Sequence, residues 1–189
     1  MIIGQTVAVA VLAMLAFWML ASYNRLVRLR NDIAQALTAL VQPLRERHAL
    51  AAALAESART VLPTGDEREA IEPVLSAVRQ AAMTCRMAVP RPLLAGPVRQ
   101  LAMSEDALDQ ALQKLLGGLP IPVSADLVEQ RGQLGQLQWR IEQAQQHYNQ
   151  LVVQYHESLR HFPTTLIAST FHFDQVSLLA LRPGRQMLS

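Results

Sequence analysis

Cysteine is almost missing from this 189-residue chain. The single Cys85 excludes an intramolecular disulfide and a cysteine-rich metal cage. With no partner pattern around it, it reads as a small side chain packed on a helix face. Lysine is as scarce, since Lys114 is the one basic residue of 17 that is not arginine. Net charge is only +2, aromatics make up 5%, and the arginines do not gather in a block with interleaved aromatics, so no nucleic-acid partner is expected. No serine stands in a Gly-x-Ser-x-Gly setting, and Gly117-Gly118 lack the Gly-Lys-Ser/Thr that would complete a phosphate loop. Four histidines come late, His147, His156, His161 and His172, but none form the i, i+4 pair that places two imidazoles on one helix face. Catalytic, cofactor-binding and metal-binding residues are therefore expected to be absent, and the chain is read as a non-enzyme.

What the chain does have is apolar residues, 51% of the total, enough for a core and one membrane segment. Ile2 to Ala21 reads "IIGQTVAVAVLAMLAFWMLA", twenty residues without a charge. At roughly 1.5 Å per residue such a helix crosses a hydrocarbon core of about 30 Å. No basic residue precedes the run and Met19 stands where cleavage would need a small side chain, so a retained anchor over residues 1–22 is expected rather than a cleaved signal. Ile3, Val7, Val11, Leu15, Trp18 and Tyr23 are its lipid-facing and interfacial candidates. Arg25, Arg28 and Arg30 crowd its C-terminal side, which by the positive-inside rule places the residues after Tyr23 in the cytoplasm.

Residues 23–173 read as helices. An apolar stripe runs through Leu26, Ile33, Leu40, Leu54 and Val61, joined by Leu37, Leu44, Ala51 and Ala58 in the adjoining register, so the membrane helix continues as a long amphipathic rod. Pro43 predicts a kink between Ala39 and Pro43. Arg47 falls where the stripe expects an apolar residue, so it either snorkels outward or pairs with an acid. "PTGDE" at Pro63 to Glu67 predicts a turn, with Glu67 and Glu69 in the first turn of a second helix that runs to about Ala88. "VPRPLLAGPV", Val89 to Val98, predicts a connection, and Ser104 predicts the cap of a short helix ending at Gly117 and Gly118. In the last helix Leu127, Leu134, Ile141, Tyr148, Tyr155 and Phe162 are each seven apart, a packing seam in which Asn149 can offer an amide to a buried partner.

"YNRLVRLRN" after the apolar run, "RERHAL" in the first long helix and "HYNQLVVQYHESLRHFPTTLIASTFHF" near the end together resemble the LemA family. The resemblance covers the chain from the span to about Phe173. It implies an all-α fold, an N-terminal transmembrane helix followed by an antiparallel bundle of long helices, in bacteria and with no established enzymatic activity. Ala51 to Ala53, Gln146 and His156 depart from the pattern, which marks a divergent member.

The function expected is a membrane-anchored scaffold that holds an unidentified protein partner, with the faces of Ala49 to Ala58 and Gln130 to Gln150 as contact candidates. The alternatives are a metal-dependent hydrolase using the late histidines, or self-assembly into a homo-oligomer through the heptad helices. The tail, residues 174–189, follows Leu166, Ile167, Phe171 and Phe173, which are expected to cap the bundle base or lie on the lipid bilayer beside Arg182 and Arg185.

Overall fold

A computed structural model of the chain describes residues 2–62, 69–119, 125–160 and 176–181, without the side chains of Ile2, Ile3, Ala8 and Arg160. Within them are four helices: α1 (Ile2–Val61), α2 (Ile71–Ala88), α3 (Ala95–Gly117) and α4 (Ala125–Arg160). No strand occurs among the described residues. α1 packs against α4 and α2, and α2 packs against α3. Cross-links of matched level fix the directions. Arg59 meets Glu72, Thr84 meets Ser104, Ser57 meets Gln130 and Glu46 meets Arg140, so successive helices run up, down, up and down.

α1 is one unbroken helix from the apolar segment into the bundle, and it continues through Pro43, which costs it the hydrogen bond to the Ala39 carbonyl. Its described side chains from Gly4 to Ala21 are exposed on every face, whereas Leu26, Ile33, Leu37, Leu40 and Leu44 are fully buried. The helix therefore leaves the bundle for roughly 30 Å at about 1.5 Å per residue. The seam of α4 packs as its seven-residue spacing requires, with Leu127, Leu134, Ile141, Tyr148 and Tyr155 all buried, and Phe162 lies outside the described residues. Burial of each large apolar side chain contributes about 1.5–3 kcal/mol.

α3 corrects the expected short helix. It begins at Ala95, nine residues before Ser104, with Pro97 in a first turn that has no use for its missing N–H. Ser104 is consequently an interior residue, buried, its hydroxyl bonded to the Leu101 carbonyl at 2.8 Å and to the Thr84 hydroxyl at 2.6 Å. α3 ends at Gly117, with Gly118 as its C-cap.

Buried apolar residues form two clusters rather than one. The first, nearer the apolar extension, joins Leu26 to Leu44 with Cys85, Ala88, Val98, Leu101, Ile141, Tyr148, Val152 and Tyr155. The second joins Ala51 to Leu62 with Ile71 to Ala81, Leu108, Leu112, Leu115, Leu127 and Leu134. Between them every helix places polar side chains inside: Arg47 and His48 from α1, Thr84 from α2, Ser104, Glu105 and Asp109 from α3, and Gln138 from α4.

Candidate functional site

The polar layer is built around Arg47, whose side chain is 4% exposed. Its Nη2 donates to Glu105 Oε2, and Nη1 donates to Asp109 Oδ1 at 2.8 Å and to Gln138 Oε1 at 3.2 Å. His48 Nε2 bonds Glu105 Oε1 at 2.8 Å. Of the two outcomes the sequence allows for Arg47, pairing with an acid is the one realised, because two carboxylates one turn apart on α3 face it. The apolar stripe of α1 is interrupted where it crosses this layer.

The two carboxylates behave differently. Burial works to raise the Glu105 carboxyl, but the hydrogen bond from His48 and the charge of Arg47 outweigh it and hold the group below its ordinary value. Asp109 has only Arg47, through an Nη1 shared with Gln138. Burial pushes it up to about 6 against the opposing guanidinium, and the negative charges of Glu105 and Asp106 add to the rise. Burial, with the charge of Glu105 behind it, also pushes the Cys85 thiol up to about 12. Two polar atoms in the layer have no partner, Arg47 Nε and His48 Nδ1. One ring nitrogen of His48, the Cys85 sulfur and a Glu105 carboxylate oxygen lie within 4.8 Å of one another.

A second feature lies in the first apolar cluster. Residues 176–181 form no helix or strand and press Val176 and Leu179 into the core. Asn149 Nδ2 donates to the Leu179 carbonyl at 2.8 Å, and the Leu179 N–H donates to Asn149 Oδ1 at 2.9 Å. Gln145 donates to the same carbonyl at 2.9 Å, and the Tyr148 hydroxyl donates to the Ser177 carbonyl at 3.2 Å. Burial raises the Tyr148 phenol to about 12. The two Tyr-Asn pairs of the sequence thus have different settings: Tyr148 is buried and Asn149 grips Leu179, while Tyr23 and Asn24 are exposed at the head of the bundle.

The sequence candidates fall as follows. Val7, Val11, Leu15, Trp18 and Tyr23 are exposed, and the side chain of Ile3 lies outside the described set. Arg25 and Arg28 are exposed and Arg30 is half-buried. His147 is exposed and His156 half-buried, nine residues apart on α4, while His161, His172, Leu166, Ile167, Phe171 and Phe173 lie outside the described residues. On the stretch from Ala49 to Ala58, Ala51, Ala55 and Ala58 are core residues while Ala49 and Ala53 are exposed; on α4, Gln130, Gln138 and Gln145 spend their amides on Ser57, on Arg47 and Glu142, and on Leu179, while Gln133, Gln136, Gln143, Gln146 and Gln150 are exposed. Glu105 and Asp109 carry no local sequence signal, and the Ser-Glu-Asp run at Ser104 suggests a helix start that the fold does not use.

These features define an all-α protein, an up-and-down bundle with an apolar helical extension and a buried ionic layer. Residues 30–187 match the LemA family, and the chain belongs to that family. No curated protein and no solved structure matches it.

Proposed function

We propose that the protein is a single-pass membrane protein whose bundle is a non-enzymatic scaffold, held at the bacterial inner membrane with the bundle on the cytoplasmic side. One observation carries the anchor. α1 is continuous from a segment with apolar side chains exposed on all faces into one buried from Leu26 onward, and such all-round exposure suits lipid rather than water. Arg25, Arg28 and Arg30 at the junction support the orientation.

The scaffold reading rests on α4. Trp139 is 64% exposed among the exposed glutamines Gln133, Gln136 and Gln143. An uncovered tryptophan on a polar face has the chemistry of an interface anchor. A photo-crosslinking residue at Trp139 is expected to give a discrete adduct with another protein in cells, and the same residue at exposed Arg79 on α2 is expected to give none. Absence of an adduct at Trp139, or an adduct only with a second copy of the chain, would contradict the scaffold.

A further inference from the structure

Arg47 binds Glu105 and Asp109 through its two Nη atoms, and His48 and Cys85 stand beside this network with ligand atoms of their own. His48 Nε2 faces Glu105 Oε1 at 2.8 Å, and in the tautomer with the ring proton on Nδ1, Nε2 has a lone pair able to ligate beside the carboxylate oxygen. His48 is 4% exposed, and its Nδ1 has no partner among the described residues.

The neighbours of His48 have ligand chemistry. A ring nitrogen of His48, Cys85 Sγ and a Glu105 oxygen lie within 4.8 Å of one another, and they come from three helices, α1, α2 and α3. Ligand atoms about 2.0–2.3 Å from a tetrahedral ion stand about 3.3–3.8 Å apart, so closing such a site takes side-chain adjustments of an ångström or less. The Glu105 carboxylate is already divided between partners. Arg47 holds Oε2, and Oε1 faces His48, so the carboxylate can ligate on one side while the guanidinium fixes the other. In charge, two carboxylates face one guanidinium in a dry layer, an excess that a cation would offset.

We propose that His48, Cys85 and Glu105 hold one divalent transition-metal ion of the zinc class inside the bundle. Imidazole, thiolate and carboxylate together select a borderline ion over calcium or magnesium, which take oxygen ligands. On binding, the metal takes the place of the hydrogen bond between His48 Nε2 and Glu105 Oε1, with the ring proton on Nδ1; the Cys85 S–H bond breaks, its proton leaves to solvent and the sulfur lone pair is donated to the metal, with no change of oxidation state. The ion ties α1, α2 and α3 together at the level where the two apolar clusters are separated. A fourth coordination position is left for water or a small anion.

Cobalt(II) is the direct probe, because Cys85 is the only thiol in the chain and any thiolate-to-cobalt charge-transfer band must come from it. The full chain, unfolded in urea with a chelator, is refolded into detergent with increasing cobalt(II), so burial of the site does not bar entry. The expected result is a charge-transfer band in the near ultraviolet that saturates at one equivalent and is absent in Cys85→Ser. In His48→Gln the affinity falls at least tenfold. No band at one equivalent, or stoichiometric cobalt bound without it, overturns the proposal. The unsubstituted chain decides this even if a variant fails to refold.

Discussion

Asn149 and Leu179, thirty residues apart, are joined through both ends of one amide: Nδ2 donates to the Leu179 carbonyl at 2.8 Å and Oδ1 accepts the Leu179 N–H at 2.9 Å. A side chain thereby completes the hydrogen bonding of a backbone unit that no helix or strand partner serves. Two net bonds of about 0.5–1.5 kcal/mol each are at stake. Asn149→Leu is expected to lower unfolding free energy by about 1–3 kcal/mol and to speed amide exchange at Leu179 well before global unfolding. An unchanged exchange rate at Leu179 would show that Val176 and Leu179 hold the segment without Asn149.

Removing one partner from the buried layer leaves the other charged in a dry site. Arg47→Met and Glu105→Met are each expected to cost about 3–5 kcal/mol, whereas the double variant should cost clearly less than the sum. Denaturant titration of the four proteins reads this directly. Additive losses would mean that the two side chains are not coupled as their contact implies.

Asp109 makes stability depend on mildly acidic pH. Its carboxyl is raised from 3.8 to about 6, so the folded chain binds this proton more tightly than the unfolded one. The stability gained from the protonated form is full below about pH 3.8 and is lost as pH rises through about 6. Asp109→Asn should flatten that part of the stability profile between about pH 4 and about pH 6. An identical slope in the variant would assign the titration to another group.

Sidedness can be read without removing the native thiol. Cys85 is fully buried and its thiol is pushed up to about 12, so it is a poor target for maleimides in the folded chain. Gln136→Cys places a reactive thiol on the exposed face of α4. A membrane-impermeant maleimide should label it only after the inner membrane is opened. Labelling in cells with an intact inner membrane would put the bundle on the outer side, against the charge bias of Arg25, Arg28 and Arg30.

Much of the fold is legible because heptad spacing is local information. Leu127 to Tyr155 read as a seam and pack as one, and Ile2 to Ala21 read as an uninterrupted apolar helix. The polar layer is less visible. Arg47 stands out as a charge in an apolar stripe, but its partners Glu105 and Asp109 are 58 and 62 residues away, and no periodicity links them. The Ser104-Glu105-Asp106 run resembles a helix start, and tertiary context overrides that signal because the helix already begins before Pro97. The pairing of Asn149 with Leu179 is readable only as an amide in a seam needing a partner, since residues 176–181, outside any helix or strand, carry almost no pattern of their own.

The proposed function puts a membrane anchor and a bundle helix on one continuous α1. The most direct test compares the full chain with one lacking residues 2–21, by alkaline carbonate extraction of membranes and by thermal unfolding of each purified protein. The full chain is expected to stay in the membrane pellet, and the shortened chain to be soluble, helical and cooperative in unfolding. Release of the full chain by carbonate, or a shortened chain that no longer folds, would contradict it.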